Sequence, residues 1–253
     1  MKRIFLRVAY DGTDFVGWQI QSEGRTVEGE LNKAINALTG ETIEVIGASR
    51  TDSGVHAKGN VAVFDTESTI PADRFMYALN SLLPEDVSIV ESKEVADDFH
   101  PRHCTSIKTY EYRIFVSRIN DPLKRRYAYR FPTDLDVNRM DEAAKYLIGE
   151  HDFKSFCCVR TQAETTVRKL YSADVFHDGD DIVIRVSGAG FLYNMVRIIA
   201  GSLMEVGSGK KRTHIHKRST GGDGSNTCGT DSRTAGIDVN QYRVCRRRVN
   251  LVC

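Results

Sequence analysis

The 253-residue chain has no apolar run near the roughly 20 residues that a membrane-spanning helix needs, which excludes a helical membrane protein. It has no Cys-x-x-Cys pair and no regular cysteine framework. Cys104, Cys157 and Cys158 stand in the body of the chain, and Cys228, Cys245 and Cys253 near its end. That scatter excludes a disulfide scaffold and points to reduced thiols. Excess charge is lacking too: 35 Lys/Arg against 34 Asp/Glu leave a net +1. With 41% apolar and 27% charged residues the composition is ordinary for a globular chain, which excludes collagen-like, coiled-coil and wholly disordered classes. The first residues, MKRIFLRVAY, have a basic head, but Arg7 breaks the apolar run. They read as a strand and not as a signal peptide, and the expected location is the cytoplasm.

The charge that is present is unevenly spread. Residues 211–253 carry nine Lys/Arg against three Asp/Glu, while residues 1–210 carry 26 against 31. The body is mildly acidic, so a nucleic-acid site within it has to be a local basic groove.

Hydrophobic periodicity divides the body into elements. Residues 3–11 alternate as a strand, with Ile4, Leu6, Val8 and Tyr10 on one face. A turn-rich loop with the single tryptophan, Trp18, leads to a predicted helix bearing Val27, Leu31, Ala34, Ile35 and Leu38, capped by Thr26 and stopped by Gly40. Strands are predicted near 43–48 and over 60–64. A helix opened by Pro71 carries Phe75, Leu79 and Leu82, and a strand follows over 87–92. The second half repeats the pattern. It has a strand over 106–116, a helix over 137–149 carrying Met140, Ala143, Ala144, Leu147 and Ile148, two strands joined by an Asp-Gly turn over 166–188, and an apolar helix over 191–207. Two similar α+β halves are therefore expected, residues 1–105 and 106–210, each a sheet with helices on one face. Residues 211–253 lack Glu, Phe and Pro and keep no period, so they are expected to be an atypical basic tail, disordered or frame-altered.

The densest polar cluster is the loop Ser49-Arg50-Thr51-Asp52-Ser53-Gly54-Val55-His56, set between apolar strands. A plain Asp-Ser-Gly turn explains the spacing, but not the crowding of Arg50, Asp52 and His56. Three chemistries use such an aspartate. An aspartic protease pairs two acids that share a proton, which the adjacent Arg50 opposes by favouring full ionisation. A glycosidase needs two carboxylates, and this loop offers one. A single ionised carboxylate acting as a nucleophile fits, given a cation to hold its charge and a planar side chain to hold a base. Two other signals fail. His100, His103 and Cys104 lack a partner pair at ligand spacing, so no metal is expected. VGSGKK has Met204 where a phosphate loop needs its first glycine.

The segment SRTDSGVHAKGNVAVF resembles the signature loop of the pseudouridine synthases, in the branch that modifies the tRNA anticodon arm, the TruA family. RVAYDGTDFVGWQIQ, DFHPRH, KTYEYRIF, GEHDFKSF and GFLYNMVRIIAG resemble further family segments in the same order, through about residue 210. The resemblance implies the pseudouridine synthase fold, in which two ferredoxin-like (RRM-like) halves with mostly antiparallel sheets join into one extended central sheet, with helices on one side and a cleft between the halves. It implies isomerisation of uridine to pseudouridine at positions 38, 39 and 40 of the tRNA anticodon stem-loop, with no cofactor and no metal. It also implies a homodimer.

The resemblance assigns roles residue by residue. Asp52 aligns with the catalytic aspartate. Arg197 aligns with the basic residue that pairs with it, Tyr110 with the tyrosine that stacks on the target base, and Arg50 with the arginine that helps extrude the nucleotide. His56, Lys58, Arg102, Lys108 and the Lys124-Arg125-Arg126 run are candidate RNA contacts. The chain departs from the family after the long helix, where a further helix, an Ala-Gly-Pro-type segment and a final strand are expected and residues 211–253 show none of them. The competing expectation is an RRM-like module that binds RNA without chemistry.

Overall fold

Local sequence rules account for most element boundaries in the computed structural model of the chain, which describes residues 1–157, 164–210 and 250–252. The expectation for a disordered or frame-altered tail over 211–253 lies outside the described residues, except at its end. The chain divides into two compact units, the first comprising Met1–Thr109 together with the last strand, the second beginning at Tyr110.

In the first unit, β1 (Lys2–Tyr10) runs antiparallel to both β3 (His56–Thr66) and β4 (Val87–Val95), with β2 (Ile46–Gly47) on the other edge of β3. Between β1 and β2 lies α1 (Val27–Thr39). Its first turn is closed by the Thr26 side chain, which accepts from the Gly29 N–H, and its end by Gly40 at φ 73°. Val27, Leu31, Ala34 and Ile35 form its buried stripe. After Pro71 the chain makes a 3-10 turn over Ala72–Arg74 before α2 (Phe75–Asn80), which is shorter than expected. Phe75 and Leu79 are buried and Leu82, beyond the helix end, is 48% exposed. Asn80 is the reason for the early stop: its amide donates to the Ile89 carbonyl and accepts from the Ile89 N–H, which ties the helix end to β4.

Strand β3 exceeds its apolar stretch and buries His56, Asn60 and Thr66 within it; the Asn60 amide donates to the Ser49 carbonyl. β10 (Asn250–Val252) pairs parallel to the start of β3, Asn250 opposite His56 and Leu251 opposite Ala57. This corrects the expectation that residues 211–253 hold no strand. The parallel partner at His56–Ala57, a long-range pairing, is invisible to a local period.

The second unit opens within β5 (Lys108–Val116), which has β6 (Tyr129–Phe131) parallel beside it. The sheet continues from β5 through β9 (Asp181–Gly188) and β8 (Val167–Asp178) to β7 (Gly149–Asp152). Gly179, at φ 59°, makes the β8–β9 turn. Helix α3 (Val137–Lys145), capped by Asp136, packs against β8 and against α4 (Met195–Gly207). Two predicted helices shrink here. α3 ends before Ile148, which is 39% exposed, since Gly149 at φ 112° turns the chain into β7. α4 starts four residues late because Asn194 sits at φ 60°, a left-handed conformation that a helix cannot continue through and that asparagine tolerates. Each unit thus combines a mixed, mainly antiparallel sheet with helices, an α+β architecture.

Candidate active site

The loop carrying Asp52 leaves β2 and returns at β3. Its tip is a tight turn: the Val55 N–H donates to the Asp52 carbonyl at 3.1 Å, and Gly54 takes the φ of 74° that the turn needs. Asp52 is half-buried, Arg50 and Ser53 are exposed, and Thr51, Val55 and His56 are buried.

A second segment straps this turn. Residues 11–18, which follow β1, run alongside it with Gly17 bridged antiparallel to Asp52. The Trp18 N–H donates to the Thr51 carbonyl (3.0 Å), and the Gly54 N–H and Ser53 hydroxyl donate to the Phe15 carbonyl (3.2 and 3.3 Å). Tyr10 and Thr51 join their hydroxyls at 2.8 Å in a buried hydrogen bond. Close approach requires glycine at two places. A Cβ on Gly17, already at φ 128°, would stand 2.8 Å from the Thr51 oxygen, and one on Gly12 would overlap the Val55 carbonyl. The strap is itself held: Arg25 forks onto Asp86 at 2.6 and 2.8 Å, lies 4.3 Å over the Phe15 ring, and its carbonyl accepts from Val16. The hydrogen bond to Asp86 raises the Arg25 pKa above the ordinary arginine value.

Two of the expected RNA contacts brace the loop's entry. Arg102 donates through Nε to the Gly47 carbonyl at 2.8 Å, and Lys108 through Nζ to the Ala48 carbonyl at 3.1 Å. Burial pushes the Arg102 pKa down, the Arg50 charge pushes it further, and Glu28 opposes both. Arg50 and Arg102 therefore act on each other as like charges. His100 and His103 stack edge-on at 4.2 Å next to Arg102, and desolvation with the neighbouring His103, Arg102 and Arg3 charges lowers the His100 pKa.

His56 is corrected from a surface RNA contact to an interior residue. It is 4% exposed, with Nδ1 3.0 Å from the Asp11 carboxylate and 3.2 Å from the Gly12 N–H. Lys58 is exposed on β3. In the second unit, Tyr110 is half-buried on β5 and meets Phe191 edge-on at 4.8 Å, while Arg197 is half-buried in the first turn of α4. Lys124 is engaged with Asp181 at 2.6 Å, and that hydrogen bond raises its pKa, which argues for a structural role in the basic run. Cys104 is exposed and Cys157 is half-buried, with the Cys157 thiol donating to the Lys154 carbonyl at 3.3 Å. Among the described residues no three His, Cys, Asp or Glu side chains are grouped to hold a metal.

Sequence reasoning gave Tyr10, Asp11, Gly12 and Gly17 no role at the site, although they hold the loop from the other side. A signal was available: a glycine-rich polar stretch enclosing the only tryptophan, which is fully buried.

A family model described as tRNA pseudouridine synthase matches residues 7–103 and 143–220. The chain is 47% identical over 212 residues to tRNA pseudouridine synthase A of Halalkalibacterium halodurans, covering 83% of this chain and 81% of the relative. It is 49% identical over 213 residues to tRNA pseudouridine synthase A of Brevibacillus brevis, covering 83% and 86%. With tRNA pseudouridine synthase A 2 of Clostridium perfringens the identity is 43% over 249 residues, 98% of this chain and 99% of the relative. Among solved structures, an archaeal box H/ACA sRNP Nop10–Cbf5 complex overlaps 79% of this chain and 44% of its own, at 14% identity and a TM-score of 0.36. The family match runs through the strap and the Asp52 loop alike, and the chain belongs to the tRNA pseudouridine synthases, isomerases that convert uridine to pseudouridine in tRNA.

Proposed function

We propose that the chain acts on the anticodon stem-loop of tRNA, at positions 38, 39 and 40, with Asp52 as the nucleophile. The observation that carries this reading is the fixed setting of Asp52, a half-buried carboxylate on a turn tied on both sides by backbone hydrogen bonds and flanked by Arg50. A surface turn with no chemical task does not need that bracing.

The reaction is an isomerisation. The bond from the sugar C1′ to uracil N1 breaks, a bond from C1′ to C5 forms, and the C5 proton leaves while N1 gains one. A carboxylate that attacks the nucleoside holds base and sugar on the protein while the base turns. The target uridine has to leave its stack first, and Arg50 is placed to fill the gap or hold the displaced phosphate. Arg50 with Arg102 supplies the local positive field that the mildly acidic body lacks. The family resemblance assigns Tyr110 the role of stacking surface and Arg197 that of the cation that pairs with the aspartate. The same reading carries a cytoplasmic homodimer, for which sedimentation of the full chain is the check.

Transfer RNA tritiated at uridine C5 tests the proposal, since carbon attachment at C5 must release that label. Asp52→Asn is expected to abolish release while holding tRNA within a few-fold of the parent affinity. Release by the variant at the parent rate would remove Asp52 from the chemistry.

A further inference from the structure

His56 is the one buried imidazole among the described residues, and its Nδ1 faces the segment that straps the Asp52 turn. It stands at the first position of β3, where the loop rejoins the sheet. Its Nδ1 faces the Asp11 carboxylate at 3.0 Å and the Gly12 N–H at 3.2 Å. With a proton on Nδ1 it donates to Asp11. Without one it accepts from Gly12. Either form ties the end of the catalytic loop to the same two residues. The Asp11 Oδ1 is oriented in turn by the Thr13 N–H at 2.9 Å and the Thr13 hydroxyl at 2.5 Å, so the ring meets a carboxylate that is already fixed.

We infer that the Asp11–His56 couple is a positioning device for Asp52: it fixes the strap against the base of the loop, and the strap fixes the turn. The path is continuous. From Asp11 and Gly12 the backbone passes to Phe15, whose carbonyl holds Ser53 and Gly54, then to Gly17, bridged to Asp52, and to Trp18, bonded to Thr51. The Nδ1 side of the His56 ring is committed to the strap, through Asp11 and Gly12. Its effect falls on where the nucleophile stands, so loss of the couple lowers kcat and spares KM.

The inference rests on the reading of Asp52 as nucleophile, and the test separates the two. Parent, Asp52→Asn, His56→Ala, His56→Asn and His56→Gln proteins are assayed by C5 tritium release with folded tRNA, and their thermal unfolding is recorded. The amide of asparagine reaches the place of Nδ1, whereas that of glutamine reaches the place of Nε2. His56→Asn is expected to keep kcat within about threefold of the parent, while His56→Gln loses between about 10- and 100-fold in kcat with KM nearly unchanged, and His56→Ala does the same if it folds. Retention by Gln with loss by Asn would overturn the inference, as would equal activity of both or a loss confined to KM. Should His56→Ala fail to fold, the Asn and Gln pair still decides. Release by Asp52→Asn would sink the nucleophile assignment on its own, whatever the His56 variants do.

Discussion

Gly12→Ala tests the strap directly. An added Cβ would lie 2.5 Å from the Val55 carbonyl carbon, closer still to its oxygen, and 3.0 Å from its nitrogen. Ordinary contact begins near 3.4 Å, and the atoms met are backbone, so no side chain can swing aside. Relief requires the two segments to separate by at least about 1 Å, and by about 1.4 Å to bring the Val55 oxygen to ordinary contact. Val55 closes the turn on the Asp52 carbonyl, so the separation reaches the nucleophile. A displacement of that size costs on the order of 100-fold in rate, about 2.7 kcal/mol in the barrier. Overpacking costs about 1–3 kcal/mol in stability, less than the roughly 5–15 kcal/mol of a typical domain, so the variant is expected to fold. Gly40→Ala is the control, with nothing within 4 Å of its Cβ but a φ of 73°. It should lose about 1–2 kcal/mol of stability and no kcat. Urea unfolding with single-turnover C5 tritium release reads both quantities. A Gly12→Ala protein with parental kcat would show that the turn does not depend on its neighbour.

Two further outcomes follow from the charges of the first unit. Arg102→Gln should weaken tRNA binding and reduce the slope of log affinity against log salt by about 1, as loss of a single phosphate contact does; filter binding at several salt concentrations checks this, and an unchanged slope would confine Arg102 to bracing Gly47. Asp65→Asn removes the fork from Arg3, whose hydrogen bond holds the Asp65 pKa below its ordinary value. A carboxylate lowered in the folded state stabilises above its unfolded pKa of about 3.9, and that contribution fades as pH falls through the folded value. Parent and variant should therefore differ by less than about 1 kcal/mol at pH 7 and converge in acid, measured as urea midpoints; a gap that persists at pH 2 would contradict the sign.

Elements held by local chemistry were legible in the sequence. Thr26 and Gly40 bound α1 where the cap rules put them, and the Asp-Gly turn between β8 and β9 stands where it was expected. Elements decided by distant partners were not. β10 is too short to show a period and pairs with the start of β3, a partner nearly 200 positions away, whereas the strand expected near 43–48 forms only over Ile46–Gly47, where it meets β3. α2 stops at Asn80 for the sake of Ile89, and α4 waits for Asn194 to turn left-handed, a choice that the apolar residues 191–193 before it conceal. His56 misled for a related reason. A histidine in a basic loop looks like a phosphate ligand, and only its pairing with Asp11, 45 positions away, shows it to be interior.

The loop and its strap divide the work in a way that explains this unequal legibility. A nucleophile must be held within about 0.5 Å of its productive position before substrate arrives, or binding energy is consumed in ordering it. Fixing a backbone costs about 1–2 kcal/mol per residue, and an exposed polar loop has little apolar area with which to offset that. Ties to a second segment supply the difference, and they run mostly through main-chain atoms, which carry no residue signature. What the sequence must contribute is the permission to approach: no Cβ at Gly12 or Gly17, and a left-handed Gly54 at the turn. Chemistry therefore leaves a readable mark at Asp52 and Arg50, while preorganisation leaves glycines, whose meaning appears only once the carbonyls of Thr51 and Val55 are seen beside them.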